Sequence, residues 1–197
     1  MPASRGPLGR ASLVVAVVAT AALLASTTAA FANRQGRMTG GGRIDTAAGV
    51  TITHGFELYC ITQGGGQTLD LGPNNLQVNW DGNSWHLEEL LKGACHSEGD
   101  PTPPNADFNA YYGDGYGRLN GESGAFACWR LVDNGEPGKG NDVFRFRVWP
   151  AGAEPNPDNA AGDPAQCPTP DEDPVVASEA TLIRGNHQAH GLTGNSV

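Results

Sequence analysis

The sequence predicts an all-β protein, an antiparallel β-sandwich or a partly open barrel of about seven or eight short strands stapled by disulfides. Three observations support this fold class. Several short segments alternate apolar and polar residues with period two, as half-buried strands do. Glycine and proline, 28 and 14 of the 197 residues, divide the chain into short segments. No long segment has the apolar periodicity of an amphipathic helix.

The clearest strand signals lie in the first half of the chain. In residues 50–60 every second residue is apolar or histidine, and Thr, Gly, Glu and Tyr stand between them. Residues 76–80 alternate in the same way, and the pattern resumes after the turn sequence Asp81-Gly82-Asn83. Asp-Gly between two alternating segments is typical of a tight β-hairpin, so we expect a hairpin here.

Further strands are predicted later in the chain. The segments with strand character are 109–119, 125–132, 143–149 and 175–184. The glycines of the first of these segments suggest a twisted or bulged strand. The stretch 86–92 fits either two helical turns or a strand, and we favour the strand.

Proline marks two surface loops, 97–105 and 150–174. Only one predicted strand follows the second loop, and a single strand cannot fold alone. Residues 33–197 are therefore predicted to form one β-domain with a Pro-rich, acidic insertion at 150–174. The segment 185–190 is predicted to be a surface tail, because it is too short to form the helix that would place its two histidines together as metal ligands.

The first 32 residues are predicted to be a secretion signal peptide. Arg5 and Arg10 precede an apolar run at 11–24, which is shorter than the roughly 20 residues of a membrane-spanning helix. Ala30-Phe31-Ala32 matches the small-x-small cleavage pattern, so we expect cleavage before Asn33. The mature protein is expected to be secreted, with no membrane span after removal of the signal.

The charge of the mature chain argues against nucleic acid and anionic lipid as partners. The predicted signal contains two of the twelve basic residues and none of the 21 acidic ones, which leaves ten basic against 21 acidic residues, a net charge of −11. A surface this acidic repels nucleic acid and anionic lipid. It is compatible with simple solvation and with cation binding.

All four cysteines lie in the predicted mature chain. An even number of cysteines in an exported protein indicates two disulfides. Four cysteines allow three pairings, and we favour the pairing of neighbours in sequence because it needs the least threading. The predicted disulfides are Cys60–Cys95 and Cys128–Cys167.

No catalytic residues are predicted. Ser123 lacks the flanking pattern of a hydrolase nucleophile, and the Gly-rich stretch 113–117 lacks the Lys-Ser or Lys-Thr of a phosphate loop. A glycosidase needs two carboxylates roughly 5 to 10 Å apart, and the sequence pairs none. Aromatic side chains could form a sugar-stacking platform, although in strands they are more often core. These are Trp80, Trp85, Trp129, Tyr111, Tyr112 and Tyr116.

The loop 133–142 carries five oxygen-bearing side chains of the kind that bind calcium. Gly135 and Pro137 occupy two ligand positions of an EF-hand, so the loop is not an EF-hand. The sequence is compatible with a weak calcium site and with a plain polar turn. No other cofactor is predicted. The candidate ligands are Asp133, Asn134, Glu136, Asn141 and Asp142.

Five motifs spread over residues 38–190 form a familiar combination. They are MTGGGRI at 38–44, HGFEL at 54–58, GPNNLQVNW at 72–80, DNGEPG at 133–138 and GNHQAH at 185–190. In this combination the chain resembles the post-COAP-1-type domain of secreted and surface bacterial proteins. The resemblance implies an extracellular β-domain with a structural or binding role, and it names no catalytic residue. The insertion with Cys167 is an addition to that pattern.

The sequence is most consistent with a non-enzymatic β-domain that has a binding or structural role outside the cell. The ligand is unknown, and a glycan or cell-surface partner is compatible with this interpretation. The alternative is a carbohydrate-binding module or a glycan-active hydrolase. An acidic pair in a cleft would favour the hydrolase, and aromatic side chains on an exposed flat face would favour the sugar-binding module.

Overall fold

Nine strands form one antiparallel sheet in the part of the chain that the structure describes. This computed structural model describes residues 36–60, 74–98, 106–160 and 166–191, so the predicted signal peptide lies outside the described residues. No helix in these ranges is long and apolar enough to cross a membrane. A short 3-10 helix spans Pro157–Ala160. The strands are β1 (Gly36–Asp45), β2 (Thr51–Tyr59), β3 (Asn75–Trp80), β4 (Asn83–His96), β5 (Ala110–Leu119), β6 (Glu122–Val132), β7 (Val143–Ala151), β8 (Val176–Thr181) and β9 (Arg184–Gly191).

The sheet curls strongly into a half-barrel. Its strand order is β8-β7-β6-β5-β4-β3-β2-β1-β9, so the two edge strands are consecutive in sequence. In the link between them, Leu182 N–H donates to the carbonyl of Asp142 at 2.8 Å, and Ile183 N–H donates to the carbonyl of Arg43 at 2.9 Å. The link therefore joins the start of β7 to β1. The all-β prediction is confirmed, and of the two architectures left open the structure has the partly open barrel.

The concave face of the sheet holds the main hydrophobic core. Trp80, Trp85 and Trp129 are all buried there. The rings of Trp85 and Trp129 lie 5.8 Å apart, and Trp85 Nε1 donates to the carbonyl of Ala125 at 3.2 Å. Large aromatic side chains bury roughly 150–250 Å² each, so they account for much of the core. These tryptophans therefore stabilise the fold and do not form a sugar-stacking platform.

The hairpin predicted at Asp81-Gly82 is confirmed. Both residues have positive φ, 47° and 77°, which is typical of the two-residue turns that match the twist of paired strands. The stretch 86–92 is strand, as favoured, because β4 continues to His96 in antiparallel pairing with β5. Two register shifts interrupt this pairing, and both place the extra residue on β4, so these bulges lie on the partner strand and not on the predicted segment 109–119.

The sequence does not predict β1 and β9. Strand β1 is rich in glycine and β9 is polar, so neither has a clear alternating pattern. A Cβ at Gly40 would lie 2.3 Å from the carbonyl oxygen of Asn186, so only glycine permits this close approach of the two strands. The prediction of a surface tail at 185–190 is wrong. These residues pair with β1, and His187 is fully buried, because the partner strand outweighs weak intrinsic propensity.

Both predicted disulfides are present. Cys60–Cys95 joins the ends of β2 and β4 in the core. Cys128–Cys167 ties the insertion to the convex face of β6. The insertion is held further by Trp149, whose Nε1 donates to the carbonyl of Glu172 at 2.8 Å. The described part of the insertion is thus fixed to the convex face of the sheet.

Candidate functional site

The predicted metal-binding loop, 133–142, connects β6 to β7 and contacts the free edge of β9. Asp142 is fully buried in this contact. Its carboxylate accepts hydrogen bonds from the backbone N–H groups of Asn134 at 2.9 Å and His187 at 2.6 Å. One carboxylate therefore fixes the loop and the edge strand together.

Asp133 makes the same kind of contact two residues further along β9. Its carboxylate accepts hydrogen bonds from the backbone N–H groups of Gly135 at 3.0 Å and Ala189 at 2.9 Å. The other edge of β9 pairs with β1. Asp133 and Asp142 thus satisfy edge amides that would otherwise need a tenth strand, and they help to close the half-barrel.

The other three predicted ligands support the same contact. Glu136 accepts hydrogen bonds from the side-chain amides of Asn186 at 2.6 Å and Gln188 at 3.3 Å. The side chains of Asn134 and Asn141 donate to carbonyl groups within the loop. The structure therefore brings all five predicted residues together, and each holds the loop in shape or attaches it to β9.

The loop has the charge that a cation site needs, but its oxygens are already occupied. Burial, with repulsion from Asp133 and Glu136, raises the pKa of Asp142 to about 6, although two backbone hydrogen bonds oppose the rise. All four oxygens of the two aspartates accept backbone hydrogen bonds. In the described ranges no group of three or more His, Cys, Asp or Glu side chains is placed to hold a metal ion. Calcium binding by this loop stays a prediction.

The calcium hypothesis has a direct test in the melting temperature. It predicts that millimolar calcium raises the Tm, because extracellular modules bind calcium with Kd values of roughly 10⁻⁴–10⁻³ M. Glu136→Gln should abolish this rise while preserving the backbone contacts of both aspartates. Magnesium at the same concentration is the control for ionic strength. An equal Tm in both salts would leave the loop as a structural closure alone.

Two buried histidines lie beneath this closure. His54 Nε2 and His187 Nε2 are 2.8 Å apart, and His187 Nδ1 lies 3.1 Å from the carbonyl of Val132. The carbonyl can only accept, so His187 Nδ1 carries a proton and its Nε2 accepts from His54. Among the described residues, Nδ1 of His54 has no hydrogen-bond partner. The ring of His54 stacks on Phe144 at 3.8 Å, so His54 is packed in the core.

A cleft of about 440 Å³ lies between the convex face of β5–β7 and the insertion. Its most unusual feature is a cluster of three arginines in a strongly acidic chain. The Cys128–Cys167 disulfide forms part of its lining. We call it the arginine cleft. The sheet contributes Tyr112, Arg130, Arg145 and Arg147, and the insertion contributes Asn159, Gln166 and Thr169.

The three arginines differ in how their charge is balanced. Arg130 and Arg145 are direct partners on neighbouring strands, an arrangement in which like charges repel. Arg130 is neutralised by Glu98, which it contacts through two nitrogens, and by Glu179 at 2.8 Å. Within the described residues, neither Arg145 nor Arg147 forms an ion pair. Arg145 and Arg147 therefore line the cleft without an ion pair, and the charge of Glu179, the direct partner of Arg145 on β8, compensates Arg145 only in part.

The pKa of Arg145 is consistent with incomplete compensation of its charge. Partial burial lowers its pKa, and repulsion from Arg147 and Arg130 adds to the effect, whereas the charge of Glu179 opposes it. Arginine stays protonated in proteins, so the lowered pKa reflects the cost of a poorly compensated cation. An anion bound in the cleft would reduce that cost.

A small cavity of about 10 Å³ beside Lys92 and Asp114 shares Arg145 and Gln166 with the arginine cleft, and we call it the extension. Lys92 and Asp114 are direct partners on β4 and β5. Burial raises the pKa of Asp114 to about 6, and the charge of Lys92 opposes the rise. The extension adds one cation and one acid, so it leaves the excess of positive charge at Arg145 and Arg147 in place.

Comparison with family models, with curated proteins and with solved structures finds no match for this chain. The candidate site therefore depends on the chemistry of the cleft alone. Sequence reasoning missed it, although part of the signal was present. Arg145 and Arg147 alternate with the buried Phe144 and Phe146, so both must lie on the face opposite the core. That Arg130 lies beside these two arginines follows only from the pairing of β6 with β7, in which Arg130 is the direct partner of Arg145.

Proposed function

We propose that the mature chain is a secreted, non-enzymatic binding module whose arginine cleft takes an anionic ligand. The observation that carries this proposal is the pair Arg145 and Arg147, two arginines without an ion-pair partner in a cleft of a strongly acidic protein. The two disulfides support secretion, because structural disulfides persist in oxidising compartments.

Arginine is suited to this task because its planar guanidinium donates two parallel hydrogen bonds to a carboxylate, sulfate or phosphate. Side chains at alternate positions of one strand lie on the same face, so Arg145 and Arg147 can address the same ligand. The remaining surface is mainly acidic and repels competing anions from other sites. The cleft therefore combines attraction at one place with repulsion elsewhere.

The cleft gives less support to a glycan-active hydrolase. Hydrolysis of a glycoside needs a proton donor and a second free carboxylate. Asp114, with its raised pKa, has the character of a proton donor. The nearest acids that the structure places at the arginines, Glu98 and Glu179, are both hydrogen-bonded to Arg130. Binding without hydrolysis is therefore the function that the geometry favours.

The proposal predicts saturable binding of a simple oxyanion at one site per chain. Equilibrium dialysis of the mature protein with radiolabelled sulfate measures this binding directly. Arg145→Gln with Arg147→Gln should weaken binding at least about tenfold, because each charge-assisted hydrogen bond contributes roughly 1.5–3 kcal/mol. Arg184→Gln is the matched control, since Arg184 is an exposed arginine on β9. Absence of saturable binding, or equal binding by the double variant, would contradict the proposal.

A further inference from the structure

The arginine cleft is larger and more polar than a single small oxyanion requires. Its volume of about 440 Å³ lies within the range of sites for whole small molecules, roughly 300–1,000 Å³. Such sites are usually lined by apolar side chains. Here the lining residues from the insertion include Asn159, Gln166 and Thr169, whose side chains are polar amides and a hydroxyl. The ligand that fills this space must therefore present many polar groups of its own.

The hydrogen-bonding capacity of the insertion side is largely open. The side-chain NH₂ of Asn159 donates to the carbonyl of Thr169 at 2.6 Å and to the carboxylate of Asp171 at 3.2 Å, which fixes the amide and leaves its oxygen as an acceptor. Gln166 and Thr169 line the cleft, and neither residue is buried. Together they offer both donors and acceptors, the combination that hydroxyl groups need.

The charges around the cleft limit how many anionic groups the ligand carries. On the sheet side, among the residues that the structure describes, four cations, Lys92, Arg130, Arg145 and Arg147, face three carboxylates, Asp114, Glu98 and Glu179. The described excess on this side is a single positive charge when Asp114 is ionised, and on the insertion side the carboxylate of Asp171 is hydrogen-bonded to Asn159. A ligand with several closely spaced charges, such as a nucleotide phosphate chain, would exceed this excess. One anionic group per small unit matches it.

The aromatic content of the cleft argues in the same direction. Tyr112 is its one aromatic lining residue among those described, and it is largely buried against the sheet. A nucleobase or other flat ring would need a more open stacking surface. A ring with hydroxyl groups and one charge can instead be held by the arginines and the polar side chains of the insertion.

We infer that the ligand of the arginine cleft is an acidic saccharide, with one carboxylate or sulfate held by Arg145 and Arg147 and sugar hydroxyls held by Gln166 and Thr169. This inference rests on the proposed function and specifies its ligand class. The anion supplies attraction and orientation. The hydroxyl contacts add affinity that a free oxyanion cannot gain, because it has no groups to reach the insertion.

The test compares oligosaccharides of equal length by isothermal titration calorimetry on the mature protein. The probes are a galacturonate oligomer, a sulfated galactose oligomer and a neutral galactose oligomer, with sulfate as the reference anion. At least one acidic oligomer should bind at least about tenfold more tightly than sulfate, and the neutral one should not bind measurably. The titrations with the two acidic oligomers identify whether the cleft prefers a carboxylate or a sulfate.

Variants separate this inference from the proposed function. Gln166→Leu with Thr169→Val should remove most of the advantage of the acidic oligomer while sulfate binding stays unchanged. The same substitutions at exposed positions of β2 and β3, Thr53→Val with Gln77→Leu, are the control and should have no effect. Sulfate binding without any gain for the oligomers would overturn the saccharide inference and leave the anion site standing. Equal binding of the neutral oligomer would also overturn it, and loss of all binding would overturn both.

Discussion

Replacing Asp142 with alanine is expected to lower the free energy of unfolding by about 3 kcal/mol. The substitution leaves the backbone N–H groups of Asn134 and His187 without their acceptor. Asp142 is fully buried, so water cannot readily take its place. The loop and β9 would lose their strongest connection, and the half-barrel should open at this edge. Urea denaturation of the variant and the wild type at pH 7.5 measures the difference.

Asn141→Ala is the matched control for this prediction. Asn141 neighbours Asp142 but is exposed, and its side chain donates only to the carbonyl of Pro137 within the loop. We expect a loss of less than about 1 kcal/mol for this control. Equal losses for the two variants would show that the carboxylate does not close the barrel. Hydrogen exchange should locate the effect of Asp142→Ala at the amides of β9.

The buried histidine pair is expected to make the protein less stable in acid. Burial lowers the pKa of His187 to about 4, and burial together with the neighbouring His187 lowers the pKa of His54 well below its usual value. The unfolded chain therefore binds more protons than the folded chain once the pH falls below about 6.5. The stability from each neutral histidine is complete above that pH and is lost progressively towards the folded pKa. For His187 the loss at pH 5 is about 2 kcal/mol.

A comparison of the wild type with His54→Phe isolates the contribution of His54 to the loss of stability in acid. Asp114 and Asp142 have raised pKa values and act with the opposite sign, but they are common to both proteins and cancel in the difference. Between pH 7.5 and pH 5 the variant should lose less stability than the wild type, because it lacks the protonation of His54 that favours the unfolded chain in acid. The exposed His86→Gln is the control and should match the wild type. Parallel pH profiles for wild type and His54→Phe would contradict this account, and an NMR titration of His187 gives its pKa independently.

The sequence predicted the strands whose side chains alternate, because one face of each packs in the core. Strands β2, β3 and β7 belong to this class, and the turn at Asp81-Gly82 has its own local signature. The same reasoning could not find β1 or β9. Their geometry depends on each other, since glycines of β1 make room for the backbone of β9.

Four of the five motifs singled out in the sequence meet at the closure of the half-barrel. Residues 38–42 pair with 54–58 on one side and with 185–189 on the other, and the loop at 133–138 contacts the last of these. These four motifs lie apart from the residues that line the arginine cleft. The resemblance therefore could not indicate the cleft, which depends on the register of β6 against β7 and on the disulfide that fixes the insertion.

The most direct test of the central claim is an NMR titration that follows the arginine Nε–Hε signals of the ¹⁵N-labelled mature protein during addition of sulfate. The account predicts saturable shifts at Arg145 and Arg147, because these two guanidinium groups line the cleft without an ion-pair partner. Arg184, which lies on β9, should not shift beyond the effect of matched ionic strength in sodium chloride. Saturable shifts centred on any other arginine, or uniform shifts that follow ionic strength alone, would contradict the assignment of this cleft as the binding site.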